Sequence, residues 1–222
     1  MLDPDDIKDK TTIVVKLGPS QNPSKLLLTV NKQYGQFSGL ELRKQWNGDT
    51  TAVRKSITRN LSTNMDAGDL QRVSVKHLND PDLPLNVQYE MLMDFHPNSG
   101  TIYMDPFYSK FFDKNPFPAT KRMYTVEMDY LQDVNYFFNF ELPEGFVLDD
   151  YPKSVIHQYG EDSLLTMKNI MSYDEPSRMF SLNSRFTSKT TLFAADDYES
   201  LRSFYENVME EQRKKLIIKK LN

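Results

Sequence analysis

The sequence predicts a mainly β protein: an antiparallel β-sandwich of jelly-roll type, with one amphipathic helix near the C-terminus and a shorter helix near residues 49–62. Three observations carry this. First, two central stretches alternate with period two. Tyr124, Val126, Met128 and Tyr130 alternate with Thr125, Glu127 and Asp129, and Tyr136, Phe138, Phe140 and Leu142 with Phe137, Asn139 and Glu141. Such alternation means one face buried and one face wet. Second, short apolar or β-branched segments bounded by Gly, Pro, Asn and Asp recur along the chain, whereas few segments carry a helical period. Third, no stretch is rich enough in Gly, Ser or Pro to form a linker, so 11–222 reads as one domain. The acidic residues 1–10 read as a flexible N-terminus, and 64–69 as the one weak sub-boundary.

Taken in order, Thr12 to Leu17 and Leu26 to Val30 read as strands, separated by the loop GPSQNPS. Gln33 to Gly39, with two glycines, reads as a hairpin bend, and Leu40 to Trp46 is ambiguous. After Asn47-Gly48-Asp49, the apolar positions Val53, Ile57 and Leu61 recur every four residues, so a helix follows with Asp49 or Thr50 as its cap. Gln71 to Leu78, Leu85 to Phe95 and Thr101 to Met104 read as strands, the last two joined by a turn at His96 to Gly100. Asp105 to Phe117 is dense in aromatic residues without strand period and suits a loop packed over the mouth of a sandwich. Pro143-Glu144-Gly145 ends the Tyr136 strand, because Pro offers no ladder donor and Gly accepts positive φ. Ser154 to Tyr159, Leu164 to Met171 and Arg178 to Phe186 form a meander, with Phe180, Leu182, Ser184 and Phe186 on one face. Tyr198, Leu201, Phe204, Tyr205, Val208 and Gln212 then form a helical stripe, opened by Asp196 or Asp197 as cap, and Leu216 to Lys220 is a final strand.

Composition excludes several function classes. Net charge is −4 with acids and bases interspersed, so no positive field for nucleic acid exists. The basic cluster Arg213, Lys214, Lys215, Lys219 and Lys220 is explained by a helix C-terminus and a charged edge strand. No apolar run approaches the ~20 residues that a membrane-crossing helix needs. The N-terminal MLDPDDIKDK lacks the apolar core of a signal peptide. There is no cysteine, which removes disulfides, thiolate metal sites and a thiol nucleophile.

The segments NPF, Arg122 with its alternating strand, and LPEGFVLDDYPKS carry a resemblance that continues through YGEDSLLTMKN and SRFTSKTTLFAADDYESLRSFYENVMEEQRKKLIIKK. Together they are similar to the β domain of unknown function that follows the transglutaminase-like domain in exported proteins of Bacteroides-like bacteria, over most of the chain from about Leu26 onward. The resemblance implies a jelly-roll-like fold, a periplasmic or cell-surface location, and a chain cut from a longer exported protein. It also implies an accessory role beside a transglutaminase-like domain or another protein partner. That neighbour's cysteine nucleophile has no counterpart here, so the expectation is a non-catalytic domain.

The residues themselves offer little chemistry. His77, His96 and His157 lie in separate segments without the spacing of a zinc pair, and read as structural. No nucleophile elbow or phosphate-binding glycine loop occurs. Asp196-Asp197 is explained as a helix cap and Asp149-Asp150 as a solvated pair, and neither matches a calcium loop. No cofactor and no metal is expected. Trp46, Tyr103, Phe107, Tyr108, Phe111 and Phe112 are the one candidate ligand or partner surface. Exposed in a row, they would stack on a glycan, making the chain a carbohydrate-binding module; buried, they would be core and loop plugs. The second reading is favoured, because a chain with 12% aromatics must bury most of them.

Overall fold

The computed structural model describes residues 8–64, 68–95 and 100–221, the side chains of 60–64 excepted. The protein is mainly β. Its large sheet has the strand order β3 (Gly68–Lys76), β4 (Leu85–Asp94), β2 (Lys25–Tyr34), β1 (Lys8–Pro19), β7 (Leu131–Glu141), β11 (Met179–Ser188), β10 (Leu165–Asp174) and β9 (Val155–Tyr159). A three-stranded sheet sets β13 (Leu216–Lys220) between β5 (Thr101–Met104) and β8 (Phe146–Asp150), and β6 (Val126–Glu127) pairs with β12 (Leu192–Phe193). The inner face of the large sheet shares one core with the small sheet: Phe95, beside β4, meets Phe146 of β8 edge to face at 5.0 Å, and Tyr151 meets Phe180 at 5.6 Å.

Tyr136, Phe138, Phe140 and Leu142 are fully buried, as their alternation requires, and so are Phe180, Leu182, Ser184 and Phe186 in the neighbouring strand. Gly145 closes the turn after β7 with φ +79°, the left-handed conformation expected of it. One feature departs from an antiparallel sandwich. β1 and β7 run parallel, from Lys8 opposite Leu131 to Leu17 opposite Phe140. This one parallel seam joins two antiparallel halves, so the sheet is mixed. Lys8 to Lys10, read as part of a flexible N-terminus, belong to this seam.

The Tyr124 to Tyr130 stretch is not a full strand either. Val126 is buried and Met128 and Tyr130 half-buried while their alternates are exposed, but strand pairing is limited to β6, extended by one bond from the Met128 N–H to the Thr191 carbonyl at 2.8 Å. Tyr124 is 80% exposed. The turn expected at His96 to Gly100 lies almost wholly outside the described residues, as do residues 65–67 of the 64–69 sub-boundary.

The bend expected at Gln33 to Gly39 is instead the end of β2 followed by α1 (Gln36–Trp46). Gly35 precedes α1 without a capping side chain of its own. The cap comes from β1: Asp9 Oδ1 accepts from the Phe37 N–H at 2.9 Å and the Ser38 N–H at 3.2 Å, while Thr11 Oγ1 donates to Asp9 Oδ2 at 3.2 Å. A buried carboxylate thus satisfies donors that a helix start leaves open. Asn47, in the left-handed region at φ 46°, ends α1. α2 (Thr50–Asn64) follows; Asp49 Oδ1 caps it by accepting from the Thr51 N–H at 2.7 Å. Val53 and Ile57 are buried as read, and the side chain of Leu61 lies outside the described ones.

α3 (Tyr198–Glu211) buries Tyr198, Leu201, Phe204, Tyr205 and Val208. Neither Asp196 nor Asp197 makes a side-chain cap hydrogen bond; both sit in a 3₁₀ turn, Ala195–Asp197, that leads into the helix. Gln212 is fully buried just past α3, where its Oε1 accepts from the Phe111 N–H at 2.5 Å. The basic cluster lies beyond the helix, and β13 is a central strand of the small sheet rather than an edge. Two of its charges are met locally: Lys219 Nζ lies 2.9 Å from Asp149 and Lys214 Nζ 2.7 Å from Glu211. Asp149 and Asp150, read as a solvated pair after a turn, close β8.

Candidate functional site

The aromatic candidates do not form a row on a sheet face. Phe107 is buried and stacks on Tyr136 at 5.3 Å. The Tyr136 hydroxyl donates to the Pro106 carbonyl at 2.7 Å and accepts from the Tyr108 N–H at 3.0 Å, which pins the loop to β7. Phe111 and Phe112 are half-buried; Phe112 meets Phe186 at 5.1 Å and Tyr205 at 4.9 Å. Trp46 is buried at the end of α1. Only Tyr103, on β5, is well exposed, at 64%.

Three of the six converge all the same. Trp46, Phe107 and Tyr108 line a cavity of about 150 Å³ together with Lys32, Ser109 and Asp113. Tyr34 and Tyr89 from β2 and β4, and Leu42 from α1, also line it. Lys32 is the residue that sequence reasoning missed, although a signal existed. Leu26, Leu28 and Val30 are the inward-facing residues of β2, and Lys32 and Tyr34 continue the same parity. A strand places its lysine on that face only when the core opens there.

Lys32 Nζ donates to Ser109 Oγ at 2.9 Å. Among the described residues no carboxylate forms an ion pair with it. Burial pushes its ammonium down to about 8, with the Asp113 carboxylate opposing. The Trp46 indole Nε1–H is buried without a hydrogen-bond partner among the described residues. Burial raises the Tyr34, Tyr89 and Tyr108 phenols, so all three are neutral donors at physiological pH. Lys110, also on the lining, is engaged by Asp105 at 3.4 Å. The result is a small, donor-rich and partly aromatic chamber.

The depressed Lys32 value has a sign that can be measured. Below about pH 8 the lysine is charged in both folded and unfolded chains, and the cost of burying that charge is fully present. Between about 8 and the ordinary lysine value of 10.5 the unfolded chain binds more protons, so stability rises with pH. The expected result is a rise of ~1–3 kcal/mol across this window, at 1.36 kcal/mol per unit, seen in urea melts of the wild type and absent from Lys32→Met. Comparison with the variant removes the opposing tyrosine contribution above pH 10. Parallel profiles for the two proteins would show that the ammonium is not desolvated.

A second, open groove of about 870 Å³ runs between β9 and α3, lined by His157, Tyr159, Asp197, Ser203, Phe204 and Asn207. His157 Nε2 lies 3.3 Å from Glu211 Oε1, which Lys214 also engages, so the imidazole is tied to a buried carboxylate. No serine pairs with it among the described residues. The His77 Nδ1 lies 3.0 Å from the Pro84 carbonyl, and His96 lies outside the described residues. Among the described residues no group of three or more metal-ligating side chains comes together, and no helix is long and apolar enough to cross a membrane.

A family model described as a domain of unknown function, DUF3858, matches residues 100–218. The match runs from the start of β5 into β13 and includes α3. It leaves out β1 to β4, α1 and α2, so the Lys32 cavity straddles its boundary. No curated protein and no solved structure matches the chain.

Proposed function

We propose, for a chain that belongs to the DUF3858 family, that it is a non-catalytic accessory domain, docking against the transglutaminase-like module of an exported protein. The observation that carries this reading is the exposure of large apolar side chains on and beside the β6–β12 ribbon. Met123 and Tyr124 are 87% and 80% exposed just before β6, and Leu192 of β12 is 56% exposed. We read these exposed side chains, close in sequence to one small element, as the docking surface. Two further facts support it. The sequence has no cysteine to serve as a transglutaminase nucleophile. The aromatic residues that a glycan platform would need are mostly packed inside. The location that goes with this role is the periplasm or cell surface.

The expected result is that the pure chain neither cleaves peptides nor cross-links glutamine to lysine, yet binds the transglutaminase-like module in a titration. Met123→Asp with Tyr124→Asp weakens that binding about tenfold or more, the loss of ~1.4 kcal/mol that a buried aromatic contact easily exceeds. The thermal midpoint stays unchanged, since both residues are exposed. Equal binding by the variant, or turnover abolished by a point mutation in this chain, would overturn the reading.

A further inference from the structure

We propose that the cavity between β2, α1 and the aromatic loop binds a small monocarboxylate, held by the Lys32 ammonium, the Ser109 hydroxyl and the Trp46 indole N–H. This site is separate from the docking patch and does not depend on the accessory role.

The chamber holds unmet hydrogen-bonding capacity. An ammonium carries three donors, and Lys32 uses one on a neutral hydroxyl. An indole N–H is a donor only, and that of Trp46 is buried and idle. A buried donor left unpaired is costly, so a chamber that holds an idle indole N–H and an ammonium with donors to spare is suited to receive an acceptor. The phenols of Tyr34, Tyr89 and Tyr108 add donors of their own.

Charge and size then narrow the acceptor. Asp105 answers Lys110, and Asp113 is exposed and forms no salt bridge with Lys32, so among the described lining residues the Lys32 ammonium is the cation left without an ion pair. A single carboxylate supplies that partner. A phosphate dianion would face the Asp113 carboxylate with no second free cation among the described lining residues. At about 30 Å³ per water molecule, the cavity holds the equivalent of about five waters. That is room for a short carboxylate and excludes a sugar phosphate or a peptide. Leu42, Ile57, Val87 and Phe107 supply the apolar walls against which a short alkyl tail would lie.

Trp46 is the single tryptophan, so its indole Nε1–H gives one resolvable resonance in a proton–nitrogen correlation spectrum. The experiment titrates the full chain with sodium acetate, propionate and phosphate into the tens of millimolar, against sodium chloride at constant ionic strength. The expected result is a saturable shift of the indole resonance with the carboxylates, larger in affinity for propionate, and no saturable shift with chloride. Lys32→Met, close to lysine in volume, binds roughly ten- to a hundredfold more weakly, as loss of a charge-assisted hydrogen bond predicts. Ser109→Ala retains both the reporter and the ammonium, and provides a second test if Lys32→Met does not fold. It weakens binding severalfold. No saturable shift with either carboxylate, binding unaffected in both variants, or tighter binding of phosphate than of propionate would each overturn the proposal.

Discussion

Phe204→Ala lowers the unfolding free energy by about 3–5 kcal/mol, whereas Glu206→Ala changes it by less than about 1 kcal/mol. Phe204 is 4% exposed and sits among rings, 6.3 Å from Phe186 and from Tyr159 and 5.7 Å from Tyr205. Its removal opens a void that this rigid aromatic cluster cannot refill. Glu206 is exposed, and its ion pair with Arg202 at 2.8 Å is a surface i,i+4 contact worth ~0.3–0.5 kcal/mol. Denaturant melts of the two variants check the contrast. A helix of 14 residues is marginal alone in water, so equal and small shifts would show that α3 does not owe its stability to this docking.

The second large effect is expected at the start of α1, and it is non-additive. Gly35 has φ −65° and ψ −179°, which any residue adopts, so backbone strain is not at issue. What excludes a side chain is space: a Cβ there would lie 2.2 Å from Asp9 Oδ1. Gly35→Ala therefore displaces the carboxylate that caps α1. Asp9→Ala removes it outright, leaving the Phe37 and Ser38 N–H groups and the Thr11 hydroxyl without that acceptor. Each single change costs about 2–3 kcal/mol, above an exposed cap because the carboxylate is buried. The double variant costs little more than Asp9→Ala alone, a coupling of roughly 1–2 kcal/mol. Urea melts of the four proteins measure it. Additivity within about 0.5 kcal/mol would mean that the two positions do not meet.

Both predictions bear on what can be read from a linear sequence. The α3 stripe was legible because a helical period is a local property: which residues share a face depends only on 3.6 residues per turn. The faces of β7 and β11 were legible for the same reason with period two, and the Gly145 turn and the Asp49 cap are settled within a few residues. α1 was not legible, since its cap arrives from Asp9, across β2, and nothing within Gln36 to Trp46 announces a helix start. The Tyr124 alternation was half-legible: burial follows it from Val126 to Tyr130, but a ladder needs a partner strand, and β12 offers only two residues.

The candidate site divides in the same way. Trp46, Phe107 and Tyr108 stood out by residue type, and composition favoured burying them. Their meeting with Lys32 depends on α1, β2 and the loop after β5 coming together, which no spacing encodes. Strand alternation does put Lys32 on the inward face of β2, yet a lysine at a strand end reads equally as a side chain reaching for solvent.

The sequence by itself determined the mainly β character, the buried faces of β7 and β11 and the docking face of α3, because these follow from local periodicity and from the sterics of Gly and Pro. The tertiary structure alone decided the direction of the β1–β7 seam, because alternation is identical in parallel and antiparallel pairs and only the long-range partner distinguishes them. It likewise decided that a lysine ammonium and an indole N–H share one chamber, since that depends on which surfaces pack together rather than on what either segment prefers alone.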